Sequence, residues 1–326
     1  PCNEVGWGIV YKQYAGCGPV PEIIADFTAR VIADGGTVES EACLDVPLTF
    51  LTTNGPATSD FTGLLDTYSG AAAAYSLRQL SSTYSGDAIR VRRSSDNTEQ
   101  NIGFVNNELD TASLETFCSG TDGFVAIWYD QSGNGVDATR SNALEQPKIV
   151  LNGSTILESG NPTINFGQFG ILNKSAFNAI NNQMPTSGIY VAKGVASSSN
   201  GPLSLLGGIG NADDFGMTTE IAIRTGGGYR LWASTTPQTQ LSVVSMFKAS
   251  GARIVDVECS LNGSILTATG LNDNLIDYGP ITNLFIGSKN INKFNGVVSE
   301  IILYPTDELS NRTGIETNIN DHYSIY

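Results

Sequence analysis

The second half of the chain alternates between short apolar segments of strand length and turns rich in Gly, Asn and Ser. The segments predicted as strands are residues 188–193, 203–206, 220–224, 229–233, 241–247, 253–261, 284–286 and 297–304. Leu261-Asn262-Gly263-Ser264 predicts a hairpin, since Asn-Gly readily adopts the positive φ angles of a type I′ turn. Regularly spaced strands joined by such turns are typical of a β-sandwich or jelly roll.

The first half mixes strands with short helices. The run from Ala71 to Leu80 predicts a helix, residues 88–93 a strand, and Asp110 or Thr111 the cap of a short helix that ends near Cys118. Residues 124–129 read as an apolar strand, which ends in the turn-forming hexapeptide DQSGNG at 130–135. A stripe at Ile315, Ile319 and Tyr323 predicts a C-terminal amphipathic helix.

The N-terminal segment differs from the rest. Ile23, Ile24, Phe27 and Val31 form a helical stripe, a second short helix is predicted at 37–43, and residues 54–56 (NGP) read as a linker. We therefore predict a segment 1–55 and a sandwich 60–326. Because two short helices bury little by themselves, the segment is expected to pack on another subunit or on its own sandwich.

Net charge, apolar runs and cysteine content argue against several classes of protein. The net charge of −15 disfavours binding to nucleic acid. No stretch approaches the ~18 apolar residues of a membrane span. The first residues have neither the basic start nor the apolar run of a secretory signal. Five dispersed cysteines without a CxxC pair predict reduced thiols and synthesis in a cytoplasm rather than a disulfide framework or a zinc site.

Four stretches between residues 64 and 135 carry a resemblance: LLDTYSGAAAAYSLRQL, IRVRRSSDNTEQNIGF, LETFCSG and IWYDQSGNG. Together they resemble the catalytic domain of fungal-type α-L-arabinofuranosidase B. This resemblance implies a concanavalin/laminin-G-like β-sandwich. With the helices predicted above, the expected fold is mostly β, with a short helical N-terminal segment and a C-terminal helix.

Two further stretches are similar to phage proteins. Residues 299–323 (SEIILYPTDELSNRTGIETNINDHY) resemble the closing segment of laminin-G-like domains in phage virion proteins, and residues 27–44 resemble the opening of phage structural proteins. The resemblance implies a virion surface protein (spike, fibre or capsid decoration) that binds a host or environmental glycan. Segment 1–55 would then attach to other virion structural proteins or mediate oligomerisation, and by analogy the oligomer is a homotrimer.

The resemblance also implies a retaining hydrolase, which needs two carboxylates about 5 Å apart. The implied nucleophile is a Glu on a strand in the middle of the second half, but the corresponding residues 221–255 contain no Asp or Glu. Lys289 stands where the resemblance implies the acid Asp, no adjacent cysteines occur, and Gly123 stands where it implies a Cys that pairs with Cys118. We therefore expect that the protein is not an enzyme. The alternatives are a divergent glycoside hydrolase and a purely structural capsid component.

Candidate binding residues combine aromatic rings with short polar neighbours. For a glycan they are Tyr229, Trp232, Thr235, Lys289 and Asn290. Trp128, inside an apolar strand, is predicted to be a core residue.

The sequence favours no cofactor, with Ca²⁺ as the one alternative. Asp130, Asn134 and Asp137 are weak candidates for its ligands, and the preferred interpretation is a turn that these side chains stabilise by bonding to its own backbone. Glu300 is interpreted as a structural hydrogen-bond acceptor.

Overall fold

The chain divides into two units, Pro1–Phe61 and Thr62–Tyr326. The computed structural model describes residues 3–5, 8–10, 61–167, 169–175, 177, 187–194, 203–207, 213–217, 220–224, 229–233, 240–248, 257–272, 281–289 and 292–326. In the first unit, β1 (Asn3–Val5) pairs with β2 (Gly8–Val10) in an antiparallel hairpin. The helices predicted at 23–31 and 37–43 and the linker at 54–56 lie outside the described residues.

The second unit is mostly β, as predicted. Its first strands are β3 (Ala73–Ser76), β4 (Ile89–Arg93), β5 (Glu99–Ile102), β6 (Phe104–Val105), β7 (Glu108–Leu109), β8 (Gly123–Trp128), β9 (Ala138–Thr139), β10 (Lys148–Leu151), β11 (Ser154–Thr155), β12 (Leu157–Glu158), β13 (Asn161–Pro162), β14 (Ile164–Asn165) and β15 (Leu172–Ser175). The later strands are β16 (Ser187–Gly194), β17 (Leu203–Gly207), β18 (Asp213–Met217), β19 (Glu220–Arg224), β20 (Tyr229–Ala233), β21 (Ser242–Lys248), β22 (Val257–Leu261), β23 (Ser264–Ile265), β24 (Ala268–Asn272), β25 (Ile281–Ile286), β26 (Ser288–Lys289), β27 (Asn292–Lys293) and β28 (Gly296–Tyr304).

Within the described part of this unit, three α-helices accompany these strands. They are α1 (Leu64–Thr67), α2 (Thr111–Phe117) and α3 (Arg312–Tyr323), and 3₁₀ turns lie at Ala143–Glu145 and Leu309–Asn311. Asp110 caps α2 by accepting a hydrogen bond from the Ser113 amide at 2.9 Å, and the helix ends before Cys118. Both the capped helix and the C-terminal helix were predicted from the sequence.

The strands form two layers. The front sheet runs β5-β4-β8-β9-β15-β25-β17-β18-β19-β20-β24, and the back sheet runs β3-β28-β16-β21-β22-β23, with antiparallel pairing throughout. β10 and β14 link β8 of the front sheet to β28 of the back sheet, so the two are continuous. Buried side chains of both sheets form one hydrophobic cluster; its members include Ile89, Val91, Val125, Leu172, Leu284 and Ile286 from the front and Tyr75, Tyr190, Val244, Met246, Ile301 and Leu303 from the back. The predicted sandwich is therefore confirmed.

A second hydrophobic cluster covers the other side of the back sheet. Ile315, Ile319 and Tyr323 of α3 pack there with residues such as Ile189, Val243 and Ile302. The outer face of the back sheet is thus closed by the C-terminal helix, which leaves the front sheet to offer a sheet face to ligands.

The prediction of a helix from Ala71 to Leu80 is wrong. Ala73–Ser76 is a strand whose four residues are all buried, and it pairs with β28. Ala74 contributes to the cluster under the helix, whereas Ala73 and Tyr75 contribute to the cluster between the sheets. Because small side chains fit between two packed layers, burial on both faces overrides the helix propensity of the alanines.

The DQSGNG turn holds this strand in place. The carboxylate of Asp130 accepts a hydrogen bond from the Ala74 amide at 2.9 Å. The amide group of Gln131 bonds to the Leu80 amide at 2.8 Å and to the Ser76 and Arg78 carbonyls at 3.0 Å. Two of the stretches that carry the arabinofuranosidase resemblance therefore pack on each other.

The hairpin predicted at residues 261–264 is present. Leu261 pairs with Ser264, and Asn262 and Gly263 have φ angles of 49° and 75°. These positive values are those of a type I′ turn.

Gly123 stands where the resemblance implies a cysteine, and it lies against the thiol of Cys118, the implied partner. A Cβ placed at Gly123 would lie 2.8 Å from the Cys118 sulfur. The backbone thus has the close approach that a disulfide at these positions requires, but Cys118 is a buried free thiol. Burial raises the pKa of this thiol to about 11, so it stays protonated at neutral pH. Cys2, Cys17 and Cys43 lie outside the described residues.

A buried ion pair lies at the edge of the back sheet. Glu300 of β28 is 1% exposed, and its carboxylate accepts hydrogen bonds from Arg78 Nε at 2.8 Å and Nη2 at 3.0 Å. Ser76 donates to the same carboxylate at 2.8 Å and Tyr323 at 3.3 Å. Glu300 is therefore the structural hydrogen-bond acceptor that the sequence predicted, and it joins β28, β3, the segment after β3 and α3.

We predict that Glu300→Gln destabilises the protein by about 3–5 kcal/mol, because it leaves the Arg78 guanidinium buried without its counter-charge. Chemical unfolding at neutral pH measures this difference. Glu99→Gln, on an exposed part of β5, is the matched control and should change stability by less than about 0.5 kcal/mol. An equally small change for Glu300→Gln would contradict this account.

The same pair predicts a pH dependence. Burial raises the pKa of Glu300, but Arg78 and Ser76 together hold it below its usual value of 4.5. Since the folded pKa is lowered, the stabilisation is complete above 4.5 and is lost as the pH falls through the folded pKa. The difference in the free energy of unfolding between the wild type and Glu300→Gln should accordingly become smaller as the pH is lowered.

Candidate carbohydrate-binding face

One face of the front sheet carries a continuous cross-strand row of polar and aromatic positions. Directly paired residues share a sheet face, and the pairings place in one row Asn101, Arg90, Ile127, Thr139, Asn173, Phe285, Ser204, Asp214, Arg224, Tyr229 and Asn272. The neighbouring positions Leu172, Leu284 and Ile286 belong to the opposite face and are buried between the sheets. We call the face that carries the row the outward face.

The outward face is accessible to solvent where its side chains are described. Asn101 and Thr139 are exposed, and Arg90, Ile127 and Asn173 are half-buried. Polar side chains alternate with core residues along these strands, as expected for a sheet with one wet face. A ligand that binds the front sheet would meet this face.

The structure separates the two aromatic candidates. Tyr229 is paired with Arg224 and Asn272 and lies on the outward face. Trp232, three positions along the same strand, is paired with Ile221 and occupies the opposite face of the strand by register. Since successive strand residues alternate between faces, Tyr229 and Trp232 cannot both contribute to one sheet face.

The remaining glycan candidates are only partly placed. Lys289 lies in β26, paired with Asn292. Thr235 and Asn290 lie outside the described residues.

A carboxylate residue was missed on the outward face. Glu220 is the first residue of β19 and, by strand alternation, shares a face with Ala222 and Arg224, with Ile221 and Ile223 at the alternate positions. Glu220 lies one residue before the stretch 221–255, which lacks Asp and Glu. The alternation of apolar and polar residues in Glu220-Ile-Ala-Ile-Arg is the sequence signal that could have revealed it.

Asp214 is a second acidic residue on the outward face. It is paired with Arg224 on the adjacent strand. Four residues separate Arg224 from Glu220, so Asp214 lies about 13 Å from Glu220 along the sheet. This separation is larger than the ~5 Å that a pair of retaining carboxylates requires.

The Asp130 turn is held together by its own hydrogen bonds. Asp130 also accepts bonds from the Ser132 hydroxyl at 2.7 Å and the Val136 amide at 3.2 Å, and Asp137 accepts one from the Asp130 amide at 2.9 Å. Asn134 presents its amide nitrogen to the Ala71 and Ala72 carbonyls at 3.0 and 3.1 Å. Across the described residues, no group of three or more His, Cys, Asp or Glu side chains is placed to hold a metal ion.

Other titratable groups lie on the back of the sandwich. His322 of α3 contacts Glu108 at 3.4 Å. Burial and, secondarily, Arg78 lower the pKa of His322 to about 4, so it is neutral at neutral pH. Glu258 pairs with Arg312 of α3 at 3.3 Å. Within the described segments, none of the helices has the length and apolar character that crossing a bilayer requires.

Part of the chain is similar to a known protein family. Residues 66–156 match the family model of the catalytic domain of α-L-arabinofuranosidase B. This part of the chain is similar to an arabinofuranosidase catalytic domain. The match contains β3, α2, β8 and the DQSGNG turn, and it confirms the resemblance read from those stretches. No curated protein matches the sequence significantly.

Two solved structures share the fold. An arabinofuranosidase complexed with arabinofuranosyl-α-1,2-xylobiose has 18% sequence identity and a TM-score of 0.50, with 76% of this chain and 62% of that chain covered. A GH54 α-L-arabinofuranosidase soaked with 4-nitrophenyl α-L-arabinofuranoside gives the same values. The chain thus spans 62% of the length of these arabinofuranosidases.

These comparisons contradict the expectation that the protein is not an enzyme. The matched family model describes a catalytic domain, and the structures with the shared fold are arabinofuranosidases. The expectation rested partly on an apparent lack of a carboxylate in the middle of the second half, and Glu220 removes that part of the argument.

Substitutions on the two faces of β20 should have opposite effects on glycan binding and on stability. Tyr229→Ala should weaken glycan binding by roughly tenfold, or about 1.4 kcal/mol, and change stability by less than about 0.5 kcal/mol. Trp232→Ala should instead cost about 3 kcal/mol or more of stability, as for a truncated core aromatic residue. Glycan titration and thermal unfolding of both variants test this assignment, and a loss of binding with unchanged stability in Trp232→Ala would contradict it.

Proposed function

We propose that the protein binds a glycan on its outward face and cleaves a glycosidic bond there, as an arabinofuranosidase-like hydrolase. The observation that carries the proposal is the match of residues 66–156 to an arabinofuranosidase catalytic domain. The outward face supports it, because it places an acidic residue, Glu220, beside the polar and aromatic positions of β19 and β20. The substrate class is an α-L-arabinofuranoside, free or attached to a xylan chain.

Glu220 acts as the nucleophile in this proposal. In a retaining mechanism one carboxylate attacks the anomeric carbon and forms a glycosyl-enzyme, while an acid protonates the departing oxygen. Glu220 lies on a strand in the middle of the second half, where the arabinofuranosidase resemblance implies the attacking carboxylate. Lys289 occupies the position at which the resemblance implies the acid. Lys is a much weaker acid than a carboxyl group at neutral pH.

Because a carboxylate stands at the nucleophile position and a lysine at the acid position, the leaving group of the substrate decides how well it is cleaved. 4-Nitrophenyl α-L-arabinofuranoside releases a stabilised phenolate that needs no proton from the enzyme, so formation of the glycosyl-enzyme from it requires the nucleophile alone. Water then hydrolyses the glycosyl-enzyme and frees the carboxylate. Natural arabinoxylan has an alcohol leaving group, which needs the acid. We therefore expect faster turnover of the nitrophenyl substrate than of arabinoxylan.

Replacing Glu220 tests the assignment. Glu220→Gln should lower the release of nitrophenolate by at least about 10³-fold, whereas Glu99→Gln should leave it unchanged. Azide should restore release to Glu220→Ala, because a small anion can occupy the place of the missing carboxylate. Equal activity in Glu220→Gln and the wild type would refute the role of Glu220, and no release by the wild type would refute the hydrolase proposal.

We further propose a phage virion surface as the setting, in which the protein is a spike, fibre or capsid decoration that recognises a host glycan. The support is the similarity of residues 27–44 and 299–323 to phage structural proteins. Segment 1–55 would contact other virion proteins or sister subunits, with a homotrimer as the expected assembly.

Removing residues 1–55 tests this setting. The remaining sandwich should stay folded and keep its glycan binding but no longer oligomerise or join phage particles, as judged by its mass in solution and by particle sedimentation. If the shortened chain melts far below the full-length protein, the segment belongs to the core of its own sandwich and the attachment role is wrong.

A further inference from the structure

A cluster of sugar-binding chemistry lies at the opposite end of the outward face from Glu220. The Tyr129 hydroxyl donates to Asn101 Oδ1 at 3.0 Å, and Arg90 Nε donates to the same oxygen at 2.8 Å. Asn101 Nδ2 donates in turn to Asp87 Oδ2 at 2.7 Å. These three hydrogen bonds join a phenol, a guanidinium, an amide and a carboxylate; we call these four residues the Tyr129 cluster.

The Tyr129 cluster is accessible and rests on a firm base. Asn101 is exposed, and Tyr129, Arg90 and Asp87 are half-buried. Arg90 and Asn101 belong to β4 and β5 and are paired directly in the sheet. The backbone of Asp87 is held by the Tyr84 hydroxyl, which donates to its carbonyl at 2.8 Å. The donors and acceptors therefore keep their geometry before any ligand arrives, which lowers the entropic cost of binding.

The charges of the Tyr129 cluster favour an uncharged ligand. Asn101 joins the Arg90 cation and the Asp87 anion, so the cluster is balanced within a chain of net charge −15. Burial raises the pKa of Tyr129 despite the opposing effect of Arg90, so its phenol stays neutral and keeps its proton for hydrogen bonding. Such a set matches the hydroxyl groups of a neutral sugar and covers its C–H face with the ring.

The Tyr129 cluster and Glu220 share one continuous surface. Arg90 and Asn101 are the first members of the cross-strand row that continues through β8, β9, β15, β25, β17 and β18 to β19. Seven strand spacings separate β4 from β19, or about 34 Å along the sheet. A single monosaccharide cannot reach both ends, but an extended polysaccharide can.

We propose that the Tyr129 cluster is a second contact site for an extended neutral polysaccharide whose chain follows the outward face. This inference rests on the proposed function, because the chain that it binds is the one that reaches Glu220. Two linked contacts raise the affinity of a long chain over that of a short one, since the second contact forms at a high effective concentration. The Tyr129 cluster therefore selects polymeric over small substrates.

A length series of neutral oligosaccharides, with arabinan and arabinoxylan fragments among them, tests the proposal by calorimetric titration. The affinity of the wild type should rise with chain length. Tyr129→Ala should lose about tenfold in affinity for the longest chains, which corresponds to about 1.4 kcal/mol, and should remove the rise with length. Tyr129→Phe, which keeps the ring, should lose less than Tyr129→Ala, and Glu99→Gln, on β5 outside the Tyr129 cluster, should bind like the wild type.

Thermal unfolding checks that each variant is folded; if Tyr129→Ala is not, Asn101→Ala on the exposed strand serves in its place. Equal affinity of the wild type and the folded variants for long chains would overturn the proposal while leaving the function at Glu220 intact. Binding by the wild type to no fragment of any length would overturn both. A wild type that binds short and long chains equally would refute the second contact alone.

Discussion

The paired burial of Arg78 and Glu300 is the constraint on which the rest of the sandwich depends. A carboxylate that is 1% exposed would be very costly without a counter-charge. Its three partners come from two distant parts of the chain: Ser76 on β3 with Arg78 just after it, and Tyr323 on α3. Satisfying one side chain therefore fixes the edge strand of the back sheet and docks the C-terminal helix in a single arrangement.

The DQSGNG turn completes that arrangement from the other side. Asp130 and Gln131 bond to the backbone of the segment that contains β3. With β3 held between this turn and β28, and with α3 covering the back sheet, the core closes on two layers and the front sheet is left with one wet face. The candidate carbohydrate site is a consequence of this closure, because the cross-strand row on that face joins residues that are far apart in the sequence.

Local signals in the sequence predicted local structure well. The Asn262-Gly263 turn, the Asp110 cap and the stripe of α3 each depend on residues within a few positions of one another, and each is present. The strand at Ala73–Ser76 was missed because its partners are distant in the sequence. Asp130 lies 56 positions after Ala74, and Glu300 lies 224 positions after Ser76. An alanine run has no local signal for such contacts. Glu220 and Trp232 show the same limit, since only strand register assigns the first to the outward face and the second to the opposite face.

The central claim is that a glycan binds across the outward face of the front sheet. It brings together the match to an arabinofuranosidase catalytic domain, the alternation of β19 and β20, and the cross-strand row that ends at Tyr129. A crystal structure of the protein soaked with an arabinofuranosyl-substituted xylo-oligosaccharide tests it most directly. The account predicts sugar density over β18, β19 and β20, with a furanose ring beside Glu220. Density confined to the α3 side of the sandwich, with the outward face empty, would contradict it.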